Sequence, residues 1–199
     1  MTAPEANGVF LNVPFDSAYE SQFVTLVGSL VFLGKQPHCV LEVREQGAGR
    51  LTRIFDLMRQ CRMSIHDLSR AGTPARFNMP FELGLACALQ LSNPSDYEVF
   101  VLDARPYRID RKLSDYKGRD PLIHNGTSAG MLACLLDMFA TERPAAEVRS
   151  AVRALRTSVP VLKRELKVTS LFRPAMFRVI TAAATNIAID RGFIPARDR

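Results

Sequence analysis

The sequence predicts an α/β fold: a flavodoxin-like open parallel sheet of about five strands, with helices on both faces and a helical extension at the C-terminus. Two observations lead to this prediction. Short apolar runs alternate along the chain with longer segments whose apolar residues recur at helical spacing. The segments between the runs are also long enough for the right-handed helical crossovers that join parallel strands.

Five short apolar runs are the candidate strands. They are Gly8–Phe15, Pro37–Val43, Met63–Leu68, Tyr97–Asp103 and Pro121–His124. The first is expected to be central, and the last is the weakest because Asn125-Gly126 marks a turn directly after it.

Six segments with helical periodicity are the candidate helices. They are Tyr19–Gly34, Gly49–Arg62, a helix that begins at Asn78, Thr127–Thr141, Ala145–Val159 and Ala175–Asp190. Asn78 is expected to be the N-cap of the third helix, and Pro80 suits its first turn. Pro160 is expected to end or kink the fifth helix. The residues of the third helix expected to face the core are Phe81, Leu85, Ala88 and Leu89.

Charge divides the chain into two parts. The net charge of +6 combines −2 in residues 1–142 (14 Lys/Arg, 16 Asp/Glu) with +8 in residues 143–199 (12 Lys/Arg, 4 Asp/Glu). We therefore predict an α/β domain over 1–142 and a basic helical extension over 143–199, packed on it. The basic end could meet nucleic acid, an acidic partner or ligand phosphates. No interleaved aromatic residues accompany it, so a solvated helical face is favoured and nucleic acid is not expected as a partner.

Composition also indicates the cellular compartment and the oligomeric state to be expected. No apolar run is long enough for a membrane span, and residues 1–8 lack an export signal. The four cysteines are scattered singly, which favours buried reduced thiols in a cytoplasmic protein and disfavours a metal site. The segment Ala175–Ala188 is apolar on most sides, so a homo-oligomer that buries part of it is expected.

Two carboxylates mark the candidate site. Asp67 ends the third strand, and Glu82 lies near the start of the next helix. In open α/β sheets, ligands bind outside the carboxyl ends of the strands. A Glu near a helix start is also common because the macrodipole favours it, and an Asp after a strand is often a loop cap. The residues alone leave both interpretations open.

A family resemblance favours the functional interpretation. The segments Asp67-Leu68-Ser69 and Phe77-Asn78-Met79-Pro80-Phe81-Glu82-Leu83-Gly84 resemble the catalytic segment of the nucleoside 2-deoxyribosyltransferase and TIR-like superfamily. There, a strand ending in Asp precedes a helix that carries F-E-x-G. The likeness covers the layout of roughly the first 140 residues and is specific around residues 64–84 and 10–16.

The resemblance implies roles for particular residues. Glu82 would attack or stabilise the anomeric carbon of a ribosyl group, and Asp67 would orient the ribose or the nucleophile. The loop Asn12-Val13-Pro14-Phe15-Asp16 is similar in position to the loop that meets the nucleobase or the neighbouring phosphate. Ser69, Asn78 and Met79 complete the implied substrate-binding segment. The helix N-terminus is expected to keep Glu82 ionised, with Asp67 opposing that effect.

Two further residues have open roles. Arg76 could hold a phosphate or carboxylate through its planar guanidinium, or it could be a solvated loop residue. His124 could act as a general acid near neutral pH, or it could anchor its loop. His38 and His66 lie within strands and are expected to be structural.

The sequence therefore predicts a protein that binds a nucleoside, a nucleotide or NAD and cleaves or transfers at the N-glycosidic bond through Glu82. No metal or cofactor is expected, apart from NAD as a substrate. The alternative is a non-catalytic sensor of a nucleotide signal. A Walker-type NTPase is excluded because the chain lacks G-x-x-x-x-G-K-[ST], and a Rossmann dehydrogenase is disfavoured because the loop after the first strand lacks glycine.

Overall fold

The structure is a computed structural model, and it describes residues 4–42, 49–70, 77–109, 113, 116, 120–139 and 141–196. The chain forms two compact units. The first comprises Met1–Pro14 and His38–Gly126, and the second comprises Phe15–Pro37 and Thr127–Arg199. Each unit therefore draws on two separate stretches of the chain, and the second unites residues from both sides of position 142. The predicted domain boundary at that position stays a prediction.

Five strands form one open sheet in the order β2-β1-β3-β4-β5. The strands are β1 (Glu5–Asn12), β2 (Gln36–Cys39), β3 (Cys61–Asp67), β4 (Glu98–Asp103) and β5 (Leu122–Ile123). Neighbouring strands run parallel in the pairs β1–β3, β3–β4 and β4–β5. This order confirms the flavodoxin-like α/β fold class. It places β3 at the centre of the sheet and β1 beside it, whereas the sequence led us to expect β1 at the centre.

Six α-helices begin and end within the described residues. They are α1 (Glu20–Phe32), α2 (Arg50–Gln60), α3 (Asn78–Ser92), α4 (Ser128–Met138), α5 (Ala145–Glu165) and α6 (Pro174–Asp190). Short 3₁₀ turns occupy Ser17–Tyr19 and Val40–Glu42. Every predicted helix is present, with ends that differ by a few residues except at α5. That helix continues through Pro160 to Glu165, so the proline costs α5 a backbone hydrogen bond without ending it.

The first unit packs α2 and α3 against the strands β1 and β3. Two apolar clusters result. One contains Phe10, Ile54, Met58 and Cys61, and the other contains Leu68, Met79, Leu83, Val101 and Ile109. The first turn of α3 is thereby held near the ends of the central strands, where the candidate site lies.

The second unit is a helical cluster around α1, which contacts α4, α5 and α6. Met176, Phe177 and Ile180 of α6 are buried within it. The large exposed apolar side chains of the described residues are Leu51, Phe77, Phe81, Leu91, Tyr107 and Val161, none of which belongs to α6. The expectation that an oligomer buries part of α6 stays a prediction.

Close packing of α1 on α5 gives a first testable prediction. A Cβ added at Gly28 would collide with the buried side chain of Leu155. We expect Gly28→Val to lower the free energy of unfolding by about 1–3 kcal/mol, as overpacking of a filled core does. Urea unfolding followed by circular dichroism measures the change. Gly84→Ala is the matched control, since nothing lies within 4 Å of the added Cβ at that helical position. Equal stability of Gly28→Val and wild type would contradict the packing described.

Candidate functional site

The strand order reverses between β1 and β3, because β2 lies beyond β1 while β4 and β5 lie beyond β3. In open α/β sheets, the crevice outside the carboxyl ends of the strands at such a reversal is where ligands bind. Here β1 ends at Asn12 and β3 ends at Asp67. The predicted site residues on these strands therefore lie where the topology favours binding.

Asn12 ties the ends of β1 and β3 to the first turn of α3. Its Nδ2 atom lies 3.0 Å from His66 Nδ1 and donates to the Met79 carbonyl oxygen at 2.9 Å. Asn12 and His66 are also register partners in the sheet, and both side chains are buried. Asn12 and Met79 are thus brought together, and their contact fixes the position from which α3 begins.

His66 was expected to be structural, and its place beside Asn12 makes it part of the candidate site. Complete burial lowers the pKa of His66 to about 3, so the ring is neutral near pH 7. Because Nδ1 accepts from Asn12, the ring proton belongs on Nε2. Among the described residues, that atom has no hydrogen-bond partner. The sequence signal that could have indicated this role was its position directly before Asp67 at a strand end.

Glu82 is almost completely buried, with 6% of its surface exposed. Burial raises the pKa of Glu82 to about 7, against the opposing effects of a hydrogen bond with Asn78 and the charge of Arg50. The expectation that the helix N-terminus keeps this carboxyl readily ionised is therefore wrong. The desolvation of the carboxylate outweighs the hydrogen bond with Asn78 and the charge of Arg50. Glu82 is instead a carboxyl group that can exchange its proton near neutral pH.

Asn78 supports Glu82 from within the helix. The N-cap position of α3 is occupied by Phe77, without a side-chain capping bond, and Asn78 is the first helical residue. The predicted N-cap role of Asn78 is wrong because the helix starts one residue earlier than expected. Asn78 then lies one turn before Glu82, and its side-chain hydrogen bond to that carboxyl favours the ionised form.

The raised pKa of Glu82 predicts a pH-dependent stability difference. A carboxyl whose pKa rises on folding stabilises the fold below its unfolded value of 4.5, and this contribution is lost as the pH rises through about 7. Glutamine mimics the protonated form, so Glu82→Gln should gain stability over wild type between pH 5 and pH 8, by up to about 3 kcal/mol. Thermal melts at both pH values measure this gain. Glu98→Gln, at an exposed position, is the control. A difference between Glu82→Gln and wild type that does not change with pH would contradict the burial described.

Asp67, at the end of β3, contacts a backbone N–H group and the His124 ring. Its Oδ1 accepts from the Ser69 backbone N–H at 2.8 Å, and its Oδ2 lies 3.1 Å from His124 Nε2. His124 Nδ1 in turn accepts from the Gly126 N–H at 3.1 Å, so Nε2 carries the proton that faces Asp67. The two groups are within ion-pair distance, although their alignment falls outside hydrogen-bond geometry. These contacts support the loop-anchoring alternative for His124.

The contacts described here place Asp67 and Glu82 in separate groups. Successive side chains of a strand point to opposite faces of the sheet. His66 faces Asn12 and the α3 side, so Asp67 points to the other face, towards His124. The paired carboxylates suggested by the family resemblance are not joined by these contacts. Glu82 is associated with α3 and Asn78, and Asp67 is associated with the loop after β5.

Asp103 ends β4 and is completely buried beside Arg108. The guanidinium donates from its Nη2 to Asp103 Oδ1 at 2.7 Å and from its Nε to Oδ2 at 2.9 Å. Arg108 also donates to the backbone carbonyl of Leu68. This bidentate pair links the ends of β3 and β4. The Asp103 carboxylate therefore forms a structural ion pair with Arg108.

The other predicted site residues are distributed between the two units. Pro14 belongs to the first unit, while Phe15 and Asp16 belong to the second unit. The Phe15 ring packs 5.3 Å from the Phe172 ring, and the Asp16 carbonyl accepts from the Tyr19 N–H. Arg76, predicted to hold a phosphate or to be solvated, lies outside the described residues.

The fold and the site define a class: an open α/β protein with a buried acidic residue beside the reversal of strand order. No family model matches the chain, and no match was found among curated proteins or solved structures. In the part of the chain that the structure describes, no helix is both long enough and apolar enough to cross a membrane.

Proposed function

We propose that the protein binds a nucleoside, a nucleotide or NAD at the carboxyl ends of β1 and β3, and cleaves or transfers at the N-glycosidic bond through Glu82. The observation that carries this proposal is the nearly complete burial of Glu82, whose pKa is raised to about 7, on the helix that Asn12 ties to the strand reversal. Strongly perturbed carboxyl groups in such positions are typical of functional sites.

The chemistry requires an anion close to the sugar. As the bond between C1′ and the base nitrogen breaks, its electron pair leaves with the base and positive charge develops at C1′. An ionised Glu82 would stabilise that charge, or attack C1′ to form a ribosyl ester. Water or a second base then takes the ribosyl group and releases the carboxylate. A poorly hydrated carboxylate suits this role because its charge is little screened by solvent.

The surrounding residues would position Glu82 rather than react. Asn12 donates a hydrogen bond to the Met79 carbonyl, one turn of α3 before Glu82. The side chain of Asn12 also hydrogen-bonds His66 Nδ1. Asn78 donates a hydrogen bond that favours the ionised carboxyl. Together these contacts would keep the carboxylate in a fixed orientation at the strand reversal, as catalysis by a preorganised charge requires.

A second function has its own supporting observation. Among the described residues, the carboxylates of Asp67 and Asp103 face His124 and Arg108 rather than Glu82, so neither is placed to share acid and base roles with it. A non-catalytic sensor would need only a binding crevice, and the alternative of a nucleotide-signal sensor is retained on this ground.

The pH dependence of base release tests the catalytic proposal. Because the reactive form is the carboxylate, the rate should rise with pH and level off above the pKa of about 7. The assay is chromatographic detection of free base from nucleosides, nucleotides and NAD, together with a thermal-shift panel of the same compounds. A rate that falls through the same pH range would assign Glu82 the opposite role, that of proton donor. Stabilisation by a ligand without any base release would favour the sensor.

A further inference from the structure

One face of α3 carries a line of apolar residues that the fold leaves exposed. Phe77 is 82% exposed, Phe81 53% and Leu91 74%. Gly84 and Ala88 lie between them and are also exposed, and the successive spacings are four, three, four and three residues. That spacing places all five on one narrow stripe, roughly 21 Å long at 1.5 Å per residue. These five residues are called the α3 stripe below.

The α3 stripe is not the core face of its helix. The buried residues of α3 are Met79, Glu82, Leu83 and Ala86. At about 100° per residue, Glu82 lies roughly 140° around the helix from Phe77. Leu85 and Leu89 flank the stripe and pack half-buried against the cluster of Phe10, Ile54 and Met58. The stripe therefore adds apolar surface beyond what the first unit needs for its core.

The scarcity of charged residues in α3 indicates which kind of partner would bind the α3 stripe. Apart from buried Glu82, α3 contains no Asp, Glu, Lys, Arg or His. Helices that lie on anionic membranes, and surfaces that bind nucleic acid, present lysine and arginine. The centres of protein interfaces instead have few charges and are enriched in aromatic residues. The α3 stripe has the composition of a protein–protein contact.

We propose that the α3 stripe is a homodimer interface in which α3 packs antiparallel against α3 of a second copy. The five residues are nearly symmetric about Gly84: Phe77 and Leu91 lie seven residues to either side of it, Phe81 lies three residues before it and Ala88 four after it. In an antiparallel pair with a two-fold axis at this position, Phe77 lies opposite Leu91 of the other copy, and the two Gly84 residues meet. Phe81 lies within one residue of the level of Ala88 of the other copy. A large side chain then faces a small one beside the axis, and Gly84 allows the helices to approach closely.

The exposed area suits a small reversible dimer. Aromatic side chains offer roughly 150–250 Å² each. With the exposed fractions above, Phe77, Phe81 and Leu91 present on the order of 400 Å² per copy, or about 800 Å² in a pair. Ala88 and the flanking residues bring this total close to the roughly 1,000 Å² that a specific interface needs. We therefore expect a dissociation constant in the micromolar range.

Sedimentation velocity over roughly 1–100 μM protein tests the proposal. Wild type should pass from monomer to dimer with concentration. Gly84→Lys should weaken dimerisation by at least about tenfold, since it places two charges at the axis. The same change should leave the monomer folded, because nothing lies within 4 Å of a Cβ at Gly84 and lysine favours a helix more than glycine does. Ser150→Lys, on the exposed surface of α5, is the control with equal added charge.

Cross-linking tests the axis itself. Gly84→Cys should form a disulfide between copies under mild oxidation, while Ser150→Cys should not. A wild type that stays monomeric at the highest concentration would overturn the proposal. So would a dimer that Gly84→Lys leaves intact, because its interface would lie elsewhere. Neither result bears on base release, since Glu82 lies on another face of α3.

Discussion

Replacing Glu82 by glutamine should slow base release by about 10²–10³-fold, the usual cost of removing one preorganised electrostatic partner of a transition state. Loss of a covalent nucleophile would cost more. Glutamine keeps the size of the side chain and can keep the hydrogen bond with Asn78, but it cannot offset positive charge at C1′. An uncharged ground-state sugar gains little from the anion, so ligand binding should change far less.

Steady-state rates and ligand-induced thermal shifts of the same variant separate these two effects. The expected pattern is a large loss in turnover with nearly unchanged stabilisation by ligand. Glu98→Gln, which changes an exposed glutamate, should behave like wild type in both measurements. Turnover of Glu82→Gln at the wild-type rate would reduce Glu82 to a buried helix residue and remove the basis of the proposed chemistry.

Replacing Arg108 by methionine should destabilise the protein by about 3–5 kcal/mol, because it leaves the buried Asp103 carboxylate without its cationic partner. The side chain of Asp103 is 0% exposed and that of Arg108 is 24% exposed, so water cannot readily take the place of the guanidinium. The variant also loses the hydrogen bond from Arg108 to the Leu68 carbonyl, which links β3 to β4.

Urea unfolding measures this cost, and two further variants make it specific. Arg105→Met changes an exposed arginine whose described contact with Asp103 is through its backbone N–H, and it should have little effect. The double variant Asp103→Asn with Arg108→Met removes the buried charge and should recover part of the lost stability. An Arg108→Met protein as stable as wild type would show that the ion pair does not hold these strands together.

The sequence pattern predicts the fold well because periodicity records which side chains are buried. The alternation of apolar runs and helical segments indicated a parallel sheet, and the structure confirms the flavodoxin-like strand order. The end of β1 was misplaced, since the apolar run continues to Phe15 while the strand stops at Asn12. Pro14 follows soon after and has no N–H to give a ladder, which made an earlier end the better prediction.

The faces of α3 were harder to predict. Its sequence is apolar on more than one side, so periodicity alone cannot decide which side meets the sheet. Phe81 and Ala88 were expected in the core and are exposed, whereas Glu82 is buried. The choice depends on how α3 docks on β1, β3 and β4, which is tertiary information.

The environment of the candidate site was also beyond the sequence. A helix start suggested a lowered pKa for Glu82, but its pKa depends on burial that only the docked helix reveals. The association of Asp67 with His124 could not be predicted from the sequence, because it depends on strand register. Alternation gives opposite faces to Asp67 and His66 only once the position of the strand in the sheet is known. The residue types were identified from the sequence, and their partners were not.

Chromatographic detection of free base tests directly whether this protein breaks an N-glycosidic bond, as proposed. Wild-type protein at pH 8, where Glu82 is ionised, is incubated with NAD, nucleoside monophosphates and deoxynucleosides, with and without a second base as acceptor. We expect free base, or exchanged nucleoside, from at least one compound, at a rate that falls with Glu82→Gln. Tight binding of one of these compounds with no base released from any of them would contradict catalysis and identify a sensor.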